Sequence, residues 1–313
     1  MTRALVFPGQ GSQAVGMGKE LAGAFAAARD VFGEVDEALR QNLSRLMFEG
    51  PEDELTLTEN AQPALMAVSL AALRVIEREA GLELTRDVAF VAGHSLGEYS
   101  ALAAARALSL ADAARLLKRR GRAMQRAVPV GAGAMAALLG LDLDAARAVA
   151  SEAAVGEVCG VANDNGAGQV VVSGDRAAVE RAVAAAATKG AKRSIMLPVS
   201  APFHCALMAP AAREMEEALS EISLREPHVP LIANVTAAPV SDPDEIRRLL
   251  VEQVTGLVRW RESVLAMKAA GVHELVELGA GRVLSGLAKR IDRELTAVSI
   301  GTPAEIDAFV KTL

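Results

Sequence analysis

The stretch "DVAFVAGHSLGEYSALAAARAL", residues 87–108, joins an apolar run to a helical pattern through Gly93-His94-Ser95-Leu96-Gly97. A G-x-S-x-G set between a strand and a helix reads as a nucleophile elbow, because its glycines permit a sharp turn that leaves the Ser95 hydroxyl exposed at the strand's carboxyl end. The helix that begins there brings free N–H groups and a positive dipole end beside that hydroxyl. The same pentapeptide could be a Gly-rich turn with a helix-capping serine. The apolar run before it and the helical run after it favour the nucleophile.

Working outward, apolar runs of strand length stand at 4–7, 88–92, 231–235, 273–278 and 296–300, with Ala/Leu-rich helical segments between most of them. That alternation predicts an α/β fold with a mainly parallel sheet covered on both faces. The middle of the chain has another rhythm. "GAMAALLG" reads as a strand, "DLDAARAVASEAA" as a helix, "EVCGVAND" and "GQVVVSG" as two strands, "DRAAVERAVAAAATKG" as a helix and "AKRSIMLPV" as a strand. This βαββαβ order is the ferredoxin-like motif. We therefore expect a small domain at 128–197, bounded by Pro129 and Pro198, inserted into a larger one made of 1–127 and 198–313.

Composition narrows the function. The 313 residues are 51% hydrophobic and 23% charged, which is globular. A net charge of -6 argues against general nucleic-acid binding, which needs a basic surface. Met1-Thr2-Arg3 leads directly into a strand pattern without a secretory h-region, and no apolar run approaches the ~20 residues of a membrane span. The expectation is a cytoplasmic protein with no membrane partner. Cys159 and Cys205 lack metal-type spacing, and His94, His204, His228 and His273 include no i, i+4 pair, so no metal site and no disulfide are expected.

A serine nucleophile needs a base, and histidine is the usual one. His228 and His273 stand at the beginnings of predicted strands, whereas sites on open α/β sheets gather at the carboxyl ends. His94 adjoins Ser95 and points away from it, supporting the elbow. His204 follows a strand through "SAPF" and precedes a helical run, which puts it at a carboxyl edge and makes it the candidate base. No acid is placed to orient it. A side-chain amide or a backbone carbonyl could do so instead.

In "SLADAARLLKRRGRAMQRA", residues 109–127, Ser109 and Asp112 form a capping-box-like start. On a helical wheel Arg115, Arg119, Arg122 and Arg126 make one solvent stripe, while Arg120 falls roughly 140° from Arg115, among the leucines and alanines. A buried guanidinium calls for an anionic partner. That partner could be structural, such as Glu98 or Glu20, or it could be a substrate carboxylate held by bidentate hydrogen bonds. With a serine acyl-transfer site beside it, the second case points to an acyl group carrying its own acid, such as malonyl.

Near the start, Gly9-Gln10-Gly11-Ser12-Gln13-Ala14 fits the dinucleotide fingerprint G-x-G-x-x-[GA]. That reading requires a second strand ending in an acid ~20 residues on. Residues 19–42 read as helices instead, and Pro8 departs from the usual turn.

Taken together, "VFPGQGSQ", "GHSLGEYSAL", "RRGRAMQ", "VSAPFHCALM", "ANV" at Asn234, "VEQVTGLVRW" and "ELGAGRVLSGL" resemble, in order and over essentially the whole chain, the malonyl-CoA:acyl carrier protein transacylases of type II fatty acid synthesis. The resemblance implies an α/β-hydrolase-like large domain with an inserted ferredoxin-like small domain. It also implies a ping-pong reaction in which Ser95 takes malonyl from CoA and passes it to the phosphopantetheine thiol of acyl carrier protein. His204 would be the base, Arg120 the carboxylate binder, the backbone N–H groups of Gln10 and Leu96 the oxyanion hole, and Gln253 the residue that orients the histidine. Malonyl-CoA would be a substrate, with no cofactor, and the protein a monomer.

Phe203 resembles the malonyl-selecting members, since it would fill the space of an α-methyl group. Such a methyl changes selectivity by only ~1–3 kcal/mol. The chain departs from the family at Asp164 and Gly166, where an aromatic residue and a Ser or Thr are common. The cluster Lys189, Lys192 and Arg193 could meet CoA phosphates or an acidic carrier protein, or could be a solvated turn. Two other classes share parts of this pattern. A serine hydrolase of esters or thioesters would have no need of a buried Arg120, and a non-catalytic carrier-binding module would have no need of Ser95 and His204.

Overall fold

The computed structural model describes residues 2–312. Ten strands, β1 (Arg3–Phe7), β2 (Val88–Gly93), β3 (Gly133–Leu139), β4 (Cys159–Asp164), β5 (Gln169–Asp175), β6 (Arg193–Met196), β7 (Leu231–Ile232), β8 (Pro239–Val240), β9 (Glu274–Leu278) and β10 (Thr296–Ile300), form two sheets among the described residues. The first has the order β10-β9-β1-β2-β7-β8 and is parallel except for the short edge strand β8. The second is antiparallel with the order β4-β5-β3-β6. The mixed α/β architecture expected from the alternation is present.

Register positions the site. β1 and β2 are neighbours in parallel, with Phe7 opposite Gly93, so the loops that follow them leave the sheet side by side. His94 N–H donates to Phe7 O at 3.0 Å and ties the two together. After β1 the chain forms the helices Lys19–Ala24 and Ala26–Leu39, and the next strand is not reached until Val88. The acid-ended second strand of a dinucleotide unit is therefore missing between them.

The strand expected at 231–235 stops at Ile232. Asn234 is the cause. Its N–H goes to the Glu98 carboxyl and its C=O to Arg259 N–H, so its backbone is satisfied by partners outside the sheet. The helix Leu110–Ala127 starts at Ser109, whose hydroxyl accepts from Asp112 N–H at 3.0 Å. It packs on the helix Thr58–Ala80, whose residues from Asn60 to Leu73 are all buried. At the crossing a Cβ on Gly121 would lie 2.6 Å from Glu59 Cα, so only glycine allows this approach, and Arg120 is carried against Gln62 as a result.

The four arginines of the outer stripe reach acids at the surface: Arg115 to Asp112, Arg119 to Glu221, Arg122 to Glu59 and Arg126 to Glu214. Exposed pairs of this kind contribute about 0–1 kcal/mol each. No helix among the described residues is long and apolar enough to cross a membrane.

Candidate active site

Ser95 sits at φ 54°, a left-handed conformation that costs a residue with a side chain of order 1 kcal/mol or more. The elbow is locked in by contact. A Cβ on Gly93 would lie 1.9 Å from the Gly97 carbonyl, and one on Gly97 would lie 2.2 Å from Phe7 O. The glycines thus serve close approach, while the serine itself takes the strained torsion. Asn234 Oδ1 accepts from Ser95 N–H at 2.8 Å, and Asn234 Nδ2–H donates to Gly93 O at 2.7 Å, so one buried amide braces both sides of the turn.

Ser95 Oγ lies 2.7 Å from His204 Nε2. On the other side of the ring, Nδ1 is 2.8 Å from the backbone oxygen of Gln253. A carbonyl can only accept, so Nδ1 carries the proton and Nε2 is left free to take one from the serine. Burial, aided by the charge of Arg120, pushes the His204 pKa down to about 3, so the ring is neutral at ordinary pH. Gln253 therefore faces the histidine through its main chain. Its side chain does something else.

Arg120 is 1% exposed. Its Nη1–H donates to Gln62 Oε1 at 2.9 Å, and its Nη2–H groups donate to Gln253 Oε1 at 2.8 Å and Ser95 Oγ at 3.1 Å. Tyr99 stacks beneath the guanidinium, with 5.7 Å from Cζ to the ring centroid. The structural carboxylate considered for this position is absent among the described residues. Glu20 is exposed at the surface, and Glu98 reaches Arg120 only indirectly, through the Gln253 amide. The cation is held by two amide oxygens and the nucleophile, and its Nε–H has no acceptor among the described residues.

Glu98 is 2% exposed, three residues after the serine. Its carboxyl accepts from Asn234 N–H at 2.6 Å and from Gln253 Nε2–H. Burial raises its pKa to about 8, against the pull of those donors and of Arg120.

These groups border a cavity of about 610 Å³ between the carboxyl ends of β1 and β2 and the antiparallel sheet, which contributes Met135 and Asn163. Gln10, Leu96, Arg120, Phe203 and His204 all line it with Ser95. The N–H groups of Gln10 and Leu96 donate to no acceptor among the described residues. Two unengaged donors on adjacent loops beside a nucleophile are the arrangement a developing oxyanion requires.

Of the other histidines, His94 borders the same cavity and the remaining two do not. His228 and His273 are exposed, and His94 Nε2 pairs with Asn165 Oδ1 at 2.9 Å, its ring 5.8 Å from that of Trp260. Lys189 pairs with Glu152, and neither it nor Lys192 nor Arg193 lines the cavity.

The sequence alone assigns no role to Gln62 or Asn234. A glutamine inside the otherwise apolar run "AQPALMAV" and an asparagine just past a strand's carboxyl end were the available signals.

The chain matches the acyl transferase domain family over residues 4–297. It is 46% identical over 311 residues to the malonyl CoA-acyl carrier protein transacylase of Bacillus subtilis (strain 168), covering 99% of this chain and 96% of that protein. It resembles the crystal structure of an acyl-carrier-protein-S-malonyltransferase from Bartonella henselae at 57% identity and a TM-score of 0.97, over 100% of this chain and 99% of that one. A malonyl-transacylase solved in complex with its type II PKS acyl-carrier protein matches at 42% identity and a TM-score of 0.97, over 100% of both chains.

Proposed function

Because this chain belongs to the acyl transferase domain family and, within it, to the malonyl CoA-acyl carrier protein transacylases, we propose that it moves malonyl from CoA to an acyl carrier protein through a malonyl-serine at Ser95. The observation that carries this reading is Arg120, a buried cation that no carboxylate among the described residues touches directly, 3.1 Å from the nucleophile in a cavity. A substrate acid would complete its hydrogen bonding through a bidentate pair. A site for neutral esters would gain nothing from it.

In the first half-reaction Ser95 Oγ attacks the thioester carbonyl while its proton passes to His204 Nε2. The tetrahedral oxyanion is met by the N–H groups of Gln10 and Leu96. The C–S bond then breaks, and the imidazolium returns the proton to the departing CoA thiolate. In the second half-reaction the phosphopantetheine thiol gives its proton to His204 and attacks the serine ester. The C–O bond breaks, and Ser95 recovers the proton. The steps balance with these groups alone, and malonyl-CoA is a substrate with no cofactor involved.

We read residues 128–197 as an inserted small domain of ferredoxin-like order that forms one wall of the cavity, set into an α/β-hydrolase-like large domain. Phe203, 8% exposed at the cavity wall, would disfavour an α-methyl group by about 1–3 kcal/mol. Incubation with malonyl-CoA followed by intact mass measurement tests the proposal: one malonyl group, mapped to Ser95, is expected. An unmodified protein would end it.

A further inference from the structure

The buried carboxyl of Glu98 has no part in the steps above, and it does not line the cavity. We propose that Glu98 is a positioning residue for Arg120, acting through the side-chain amide of Gln253. The inference rests on the malonyl-transfer reading for its activity measurements.

The Gln253 amide lies between groups of fixed character. Its Oε1 accepts from Arg120 Nη2–H, and its Nε2–H groups donate to Ser95 O at 2.8 Å and to Glu98 Oε2. Arginine can only donate and a backbone carbonyl can only accept. Turned over, the amide would set N–H against N–H at Arg120 and oxygen against oxygen at Ser95 and Glu98.

The Glu98 carboxyl is itself held, since Asn234 N–H occupies its other oxygen at 2.6 Å. Both oxygens accept in this geometry, a pattern that the carboxylate satisfies and a primary amide cannot; burial works against that form and raises the Glu98 pKa to about 8, so the bridge is complete where Glu98 is ionised. Glu98 also lies in the first turn of the helix Gly97–Ala104, where the dipole favours a negative charge. The result is a chain of fixed orientations from Asn234 through Glu98 and Gln253 to the guanidinium. By contrast, the Gln253 carbonyl that faces His204 belongs to the end of the helix Pro243–Gln253 and does not depend on the side chain.

This difference makes the proposal separable from a general role in folding. In Glu98→Gln, of nearly the same shape, one N–H must face another N–H whichever way the new amide points. Gln253 is then displaced and Arg120 loses an acceptor, while His204 keeps its own. At about pH 9, where Glu98 is ionised, single-turnover loading of Ser95 should slow by about ten- to a hundredfold with malonyl-CoA, the usual effect of losing a hydrogen bond to a charged group, and by less than about threefold with acetyl-CoA. In a Gln253→Ala background the same substitution should add nothing. Equal losses with both acyl groups, or a full loss that persists in the Gln253→Ala background, would overturn the proposal. If Glu98→Gln does not fold, Gln253→Ala alone must show the malonyl-over-acetyl split, and equal losses there overturn it as well.

A second measurement does not depend on the substrate. The Arg120 Nη signals in ¹⁵N NMR should be resolved in the native protein and averaged by rotation in Glu98→Gln, and unchanged signals count against the proposal. Should the native protein load no malonyl, the transfer reading fails, and this NMR comparison still decides the role of Glu98.

Discussion

Ser95 and Arg120 touch at 3.1 Å, yet the chain builds their surroundings in opposite ways. The elbow is assembled from one continuous strand, turn and helix, and its geometry follows from two glycines without room for a Cβ. The arginine's surroundings come from the helices Thr58–Ala80, Leu110–Ala127 and Pro243–Gln253 and from the elbow helix itself. The contrast separates two tasks. On the proposed reading, the turn that presents the nucleophile is encoded locally, whereas its base His204, its brace Asn234 and the surroundings of Arg120 are brought together by packing.

The largest effect should come from the side shared by both tasks. His204→Ala removes the base, and acylation of Ser95 should fall by about 10²–10⁴-fold with every acyl group; a rapid-quench measurement near the native rate would mean that another group takes the proton. Arg120→Ala should strike malonyl recognition above all. Truncating one member of a buried charge pair costs about 2–5 kcal/mol, so malonyl transfer should drop by well over tenfold while acetyl transfer is spared or improved. Equal losses with malonyl-CoA and acetyl-CoA would erase the distinction between the two regions.

Asn234→Ala tests the elbow by stability. It leaves Ser95 N–H and Gly93 O without their buried partner, and denaturant unfolding should register a loss of about 1–3 kcal/mol. An unchanged midpoint would mean that the glycines hold the turn unaided.

The smallest effect concerns pH. A general base must be neutral to act, and the His204 pKa is pushed down from 6.5 to about 3 by burial and by Arg120. Labelling of Ser95 by a neutral fluorophosphonate should therefore stay level from about pH 8 to about pH 5, with no decline through the range where free imidazole protonates. A midpoint near 6.5 would place His204 in water and not beside a buried cation.

The difference between the regions also decides what could be read in advance. Ser95 was legible because the elbow's requirements are all within a few residues: a strand, two glycines and a helix start. Arg120 was legible as an anomaly, one cation on an apolar helical face, but its partners were not. Charge alone points to Glu98 or Glu20, and the structure supplies the oxygens of Gln62 and Gln253 instead. Asn234 shortens its own strand to brace the elbow, and nothing in "LIANV" announces that its backbone is satisfied away from the sheet.

Residue type and spacing within single segments carry the α/β alternation, the elbow with its serine and a histidine at a carboxyl edge, and the order of motifs along the chain carries the family. The tertiary structure alone decided that Gln253 meets His204 with its carbonyl and Arg120 with its side chain, and that Glu98 touches both Asn234 and Gln253. A hydrogen bond depends on which atoms lie within about 3 Å and which of them can donate, and for residues 49 to 155 positions apart that proximity exists only after the helices have packed.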